Sequence, residues 1–244
     1  MADSRYVTLD ESFISHNKNV QQIALLKRIK DFWEDLIFPA YCVNCKKLGN
    51  FLCENCYHGL EFYWENLDLD KIERSLGELY FDQVLIMAKL DQKMAKLIKM
   101  MKYQSAANIA VFLGKMLYQH LQIPQADLIT YVPLHKKKLR IRGFNQCQLV
   151  AQELANLTKI EQKNILERIK NSQAQASVKK QNERIQRMKN VFKIRKKYEN
   201  FVKNKKVILL DDIFTTGSTI NAAAKVLKNA GASEIIAVII ASKK

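Results

Sequence analysis

Thirteen residues constrain this chain more than any others: Val207-Ile-Leu-Leu-Asp-Asp-Ile-Phe-Thr-Thr-Gly-Ser-Thr219. Val207 to Leu210 are four consecutive apolar residues, the pattern of a strand buried on both faces. Asp211 and Asp212 stand where that strand is expected to end. Thr215, Thr216, Gly217, Ser218 and Thr219 then make a short polar turn, and Ile220 to Ala230 reads as a helix stopped at Gly231. A strand, a polar turn and a helix capture phosphate for a physical reason. The first turn of a helix leaves N–H groups without intrahelical acceptors, and the dipole makes that end positive. Gly217 lets backbone approach an anion with no Cβ in the way, and the four hydroxyls add donors. Two carboxylates just ahead are acceptors, suited to the hydroxyls of a sugar. The run therefore reads as one pocket for a ribose diol and its 5′-phosphate. An ordinary capped turn, the bland alternative, accounts for a Thr-Gly-Ser but not for the whole run.

Position for position, the run resembles the phosphoribosyl-pyrophosphate (PRPP) motif of type I phosphoribosyltransferases: an apolar strand, two acids, then an apolar-x-Thr-Thr-Gly-x-Thr loop.

The charge is unevenly placed. Residues 1–120 hold 15 basic and 15 acidic side chains, whereas residues 135–206 hold 21 Lys and Arg against 5 Asp and Glu. That segment alone has a balance of +16, the formal charge of the whole chain. It draws phosphorylated ligands and polyanions, although lysine-rich solvated surfaces are common. No apolar run approaches membrane-spanning length and no signal peptide opens the sequence, so a cytoplasmic protein is expected.

The chain divides into three expected parts. Residues 1–38 are an arm and a helix whose apolar positions (Val20, Ile23, Leu26, Ile29, Trp33, Leu36, Ile37) share one face, closed by Pro39. Residues 39–60 contain Cys42-x2-Cys45-x7-Cys53-x2-Cys56. Two C-x-x-C pairs complete a tetrahedral thiolate shell for structural zinc. Disulfides are the rival, disfavoured in the cytosol. Cys147 reads as a small core residue.

Residues 61–244 form the third part. Leu60–Leu79 reads as a connector, Phe81–Leu90 as extended, Met94–Lys102 and Ala107–Leu121 as helices, and Ala126–Val132 as a strand. That strand ends in Pro133-Leu134-His135, followed by a basic loop carrying Lys136, Arg140 and Arg142, and then by a helix from Asn145 to Leu157. In open α/β sheets ligands sit at the carboxyl ends of strands, so this loop reads either as a contact for pyrophosphate or DNA backbone or as a solvated turn. Asn171–Ser177 reads as a mobile loop, and Lys179–Lys197 as a basic helix with Ile185, Met188 and Phe192 on one side. Arg184 and Arg187 on that helix are candidate anion contacts. Ile235–Ala241 is a second buried strand, completing a right-handed βαβ unit.

The four-cysteine knuckle, the Pro133–Leu134–His135 segment leading to Arg142-Gly-Phe-Asn-Gln146, the Glu183–Arg184 pair and the PRPP motif occur in the order found in the ComF family of competence-associated proteins. The chain resembles that family from about Ile29 to its end. The resemblance implies an α/β fold of the type I phosphoribosyltransferase kind, a parallel sheet flanked by helices, with a small hood and an N-terminal zinc-finger module. It implies PRPP or ribose 5-phosphate binding at Asp211, Asp212 and Thr215–Thr219. It also implies a role in natural transformation, handling single-stranded DNA beside a helicase-type DNA-uptake partner.

Three functions compete at this point. A competence protein using the pocket as a ligand site explains the basic segment. An active phosphoribosyltransferase needs PRPP with Mg2+, Asp211 and Asp212 on the ribose, basic groups on the leaving pyrophosphate and a lid around Asn171–Lys180. No residue marks the acceptor. A PRPP-sensing regulator of duplex DNA needs a helix-turn-helix reader, and residues 1–60 offer one helix and a knuckle.

Overall fold

The computed structural model describes residues 40–63, 69–103, 106–170 and 191–243. The helix expected over Val20–Ile37, the loop Asn171–Lys180, and Arg184 and Arg187 lie outside those residues. The chain divides into two compact units, Met1–Cys53 and Glu54–Lys244. In the described part of the first, the backbone doubles back as a knuckle. The Cys42 N–H donates to Lys47 O at 2.9 Å and the Val43 N–H to Phe51 O at 2.9 Å.

The second unit starts with α1 (Glu54–His58) and α2 (Leu69–Leu76), the latter inside the stretch expected to be a connector. Then come β1 (Gln83–Lys89), α3 (Gln92–Tyr103), α4 (Ala106–His120) and β2 (Leu128–Tyr131). Next are α5 (Lys136–Arg142), α6 (Gln146–Thr158), β3 (Leu166–Arg168) and β4 (Phe192–Ile194). The unit closes with β5 (Lys206–Phe214), α7 (Ser218–Asn229) and β6 (Glu234–Ser242). The main sheet has the order β1-β6-β5-β2 and is parallel throughout.

Its centre is the βαβ unit expected from the sequence. Val207 pairs with Ile235 and Leu210 with Val238. Both strands carry near-continuous apolar runs because α-helices cover the sheet, and Val207–Leu210 and Ile235–Ala241 are fully buried. Each buried Val, Leu or Ile among them contributes about 1.5–3 kcal/mol when removed from water.

Short pieces of chain lie along both outer strands. Phe62 bridges Ala88 of β1, and the Tyr63 N–H donates to Met87 O at 3.0 Å. At the other edge Gln162 bridges Ile129 of β2, and the Lys163 N–H donates to Ile129 O at 3.0 Å.

Three expectations change. The strand does not stop before the acids: β5 runs on to Phe214, because Asp211, Ile213 and Phe214 find Ile239, Ala241 and Ser242 on β6 as partners. The basic loop after β2 is a helix, α5, capped by the His135 side chain at its start and by Gly143 at φ 82° at its end. The last part of the basic helix expected over Lys179–Lys197 is not helical from Phe192 to Ile194, where β4 pairs antiparallel with β3.

Candidate functional site

The carboxyl ends of β2 and β5 lie side by side, and the loops leaving them carry the chemistry. From β2 the chain passes through α5 to Gly143, whose left-handed backbone ends that helix. Asn145 then caps α6. Its Oδ1 accepts from the Cys147 N–H at 3.0 Å, and its Nδ2 donates to Val132 O at 3.1 Å, tying the new helix to the end of β2. The Arg-Gly-Phe-Asn-Gln string is thus a turn that aims Gln146 at β5. Gln146 Nε2 donates to Asp212 Oδ2 at 3.0 Å, and its Oε1 accepts from an Arg142 guanidinium N–H at 2.6 Å.

Asp212 has a second partner that sequence reasoning missed. Lys102, near the end of α3, places its Nζ 2.5 Å from Asp212 Oδ2. Four lysines recur along α3 (Lys93, Lys96, Lys99, Lys102), and nothing in the sequence distinguishes the last.

Asp211 and Asp212 are both buried, and their nearest oxygens and the Cys147 sulfur all fall within 4.8 Å of one another. The Asp212 N–H donates to Asp211 Oδ1 at 2.9 Å. Burial first, and then the neighbouring Asp212 charge, raise the Asp211 carboxyl to a pKa of about 7. Burial, together with the two carboxylates, pushes the Cys147 thiol well up. Cys147 is therefore a protonated core residue at neutral pH, as its surroundings in α6 suggested. Arg168 at the end of β3 adds a favourable charge toward Asp211.

The raised Asp211 makes stability depend on pH. A folded pKa above the unfolded value means that the folded state holds a proton the unfolded chain has lost. The resulting stabilisation is complete below about pH 4 and is lost as pH rises through about 7. Denaturant titrations from pH 4 to 8 should show this decline, and Asp211→Asn should flatten it.

After β5 the turn follows as expected. Asp211, Thr215, Gly217 and Thr219 line one cleft together with Phe214 and Ile220. The Thr216 and Ser218 hydroxyls hydrogen-bond each other at 2.8 Å. Gly217 has φ 83°, and a Cβ there would meet the Phe214 ring at 2.7 Å. Both facts forbid a side chain. Gly217→Ala should cost about 1–3 kcal/mol for the left-handed backbone, more with the ring clash, and should close the cleft. Thermal unfolding and ligand titration would show the two losses together.

The other basic candidates separate. Lys136 Nζ sits 3.0 Å from Glu167 Oε1 on β3. Arg140 is exposed on α5, and Arg142 reaches the site through Gln146.

Cys42, Cys45, Cys53 and Cys56, none of them in a disulfide, bring four sulfur atoms within 4.8 Å of one another. Burial raises the Cys42 thiol, but hydrogen bonds from the backbone at Cys45, Cys53 and Asn44 outweigh it and bring the pKa to about 6. A thiol ionised at neutral pH is what a metal ligand requires. The four can hold a metal ion.

Competence protein F of Haemophilus influenzae is 30% identical over 207 residues, which cover 80% of this chain and 86% of that protein. The chain belongs to the competence protein F family. The phosphoribosyl transferase domain model matches residues 145–244, which contain α6, β5, α7 and β6. The DNA utilization protein YhgH of Salmonella typhi is 29% identical over 151 residues, spanning 57% of this chain and 63% of that protein. The solved adenine phosphoribosyltransferase of Thermoanaerobacter pseudethanolicus aligns with 70% of this chain and 99% of its own, at 16% identity and a TM-score of 0.36. In this competence protein F relative the phosphoribosyltransferase domain is a parallel sheet with flanking helices.

Proposed function

We propose that this protein acts in DNA uptake during natural transformation, handling single-stranded DNA in the cytoplasm and binding PRPP or ribose 5-phosphate in the Asp211–Thr219 pocket. One observation carries the pocket: Asp211, one of a buried acid pair in the carboxyl half of β5, lines a cleft together with Thr215, Gly217 and Thr219 of the turn into α7. The turn's N–H groups and the hydroxyls of Thr215, Thr216, Ser218 and Thr219 take the 5′-phosphate. Asp211 and Asp212 accept from the ribose hydroxyls. Lys102 and Arg142 supply positive charge beside them. The DNA half of the reading rests on the basic segment 135–206 and on kinship with competence and DNA utilization proteins. A helicase of the uptake machinery is the expected protein partner. Among the described residues no helix is long and apolar enough to cross a membrane.

Two metals belong to this reading. Zinc fits Cys42, Cys45, Cys53 and Cys56, an all-sulfur set with no open position, and there it would be structural. Magnesium does not fit the Cys147–Asp211–Asp212 group, because a thiol is a poor ligand for so hard a cation. Mg2+ belongs instead with the pyrophosphate of PRPP.

Titrating PRPP with Mg2+ into the purified protein tests the pocket. Saturable binding that fades as the pH drops below 7, when Asp211 takes up its proton and loses acceptor capacity, is the expected result. Persistence of that pH dependence in Asp211→Asn would assign it elsewhere.

The phosphoribosyl transferase domain match favours a second reading, transfer of ribose 5-phosphate from PRPP to an acceptor. Pyrophosphate release across a panel of nucleobases separates an enzyme from a binding protein.

A further inference from the structure

Two groups of basic residues stand out among the described residues of segment 135–206. Those of α5 follow the carboxyl end of β2, beside the cleft. Those of the chain from Arg195 to Lys206 lead into the amino end of β5.

The second group is built around two rings. Arg195, Lys196, Lys197, Lys203, Lys205 and Lys206 surround Tyr198 and Phe201, with Glu199 the one acid in those twelve residues. A turn of 3-10 helix over Lys196–Tyr198 brings the rings together, with centroids 5.7 Å apart at 59°. Their inner edges pack on the core while the residues stay half-exposed. Lys205 Nζ lies 3.7 Å from the Phe201 centroid, Lys163 Nζ 5.9 Å from it, and Lys197 Nζ 4.7 Å from that of Tyr198. Acids nearby have their own partners: Glu161 takes Lys163, Glu234 takes Lys206, and Asp127 accepts from the Lys206 N–H. Lys196, Lys197, Lys203 and Lys205 have no carboxylate within ion-pair distance among the described residues.

We infer that Tyr198, Phe201 and the lysines around them form a platform for single-stranded DNA on the chain that leads into the amino end of β5, outside the ribose-phosphate cleft. This rests on the DNA-handling reading above and gives it a location. Aromatic faces stack unpaired bases of any sequence, and neighbouring ammonium groups hold the phosphates. Lysines parked over the rings are positioned to swing onto a phosphate and uncover a face for a base. A duplex offers no exposed base face to such rings. Because the two sites are separate, DNA and PRPP bind together rather than compete.

Fluorescence anisotropy with a labelled oligo-dT of twenty nucleotides tests this across a range of salt. Neutralising Lys196, Lys197, Lys203 and Lys205 to Gln removes four phosphate contacts. It should weaken binding on the order of a hundredfold at 0.15 M salt and lower the salt slope by about 3. Tyr198→Leu with Phe201→Leu keeps the apolar packing and the charge. It should weaken binding about tenfold or more while leaving the slope in place. PRPP affinity, measured by calorimetry, should stay at the wild-type value in both variants and so report an intact fold. Unchanged oligonucleotide affinity in either variant overturns the platform, as does displacement of the oligonucleotide by saturating PRPP. If the wild-type chain fails to bind oligo-dT, the DNA-handling reading itself falls, a result distinct from wild-type binding that ignores these residues.

Discussion

Asp212→Ala should lower PRPP affinity by about two orders of magnitude or more, the worth of one or two charge-assisted hydrogen bonds. The loss would exceed that of any other single carboxylate because Asp212 is the hub of the site. Its Oδ2 receives both Lys102 at 2.5 Å and Gln146 at 3.0 Å. Removing it leaves the Lys102 ammonium, only 22% exposed, without its partner. An orphaned buried charge costs about 3–5 kcal/mol, and the remaining exposure of Lys102 brings the expected destabilisation to the lower part of that range. Adding Lys102→Met to Asp212→Ala should recover stability without recovering binding. That separation distinguishes a ligand-binding acid from one that only holds the fold together. Retained PRPP affinity in Asp212→Ala would sink the site assignment. The Asp211 pKa should also fall in this variant, since the Asp212 charge helps to raise it.

Metal removal is the second large effect. Purified under reducing conditions, the protein should carry one zinc per chain, held by Cys42, Cys45, Cys53 and Cys56. A knuckle of this size has few apolar groups of its own, chiefly Val43 and Leu52, and cannot fold on burial alone. Structural zinc supplies about 10–16 kcal/mol to such modules. A strong chelator should therefore expose four titratable thiols at once, and Cys45→Ser should release the metal while the sheet persists. Metal analysis, thiol titration and far-UV circular dichroism measure the three quantities. A metal-free protein whose mass shows two disulfides would replace zinc with the rival reading of the cysteines.

The parts of the fold that were legible in the sequence are those whose cause is local. Val207–Leu210 and Ile235–Ala241 announce buried strands by composition, and the Thr-Thr-Gly-Ser-Thr run announces a turn because only glycine suits φ 83° at Gly217. The acids were legible as acids but not as part of a strand. What extends β5 to Phe214 is hydrogen bonding to β6, a tertiary effect without a propensity signature. The sequence points to a loop rather than α5 because Lys136–Arg142 lacks an apolar stripe. β3 and β4 are three residues each, too short for alternation to register. Within the candidate site, Asp211, Asp212 and the turn stand out in the sequence itself. Lys102 does not, because its importance comes from where α3 ends rather than from its neighbours in sequence. Gln146 belongs to a legible string, but its amide reaches Asp212 only because Asn145 anchors α6 to Val132.

The strips of chain beside β1 and β2 bear on self-association. An open parallel sheet normally exposes two rows of unsatisfied backbone groups, each a template for another polypeptide. Here Phe62–Tyr63 occupies one row and Gln162–Lys163 part of the other. Fibril-like stacking through the sheet margins is thereby discouraged at both flanks. A chain with a formal charge of +16 would be drawn together on any polyanion, and margins already occupied leave such crowding no strand edge to seed on.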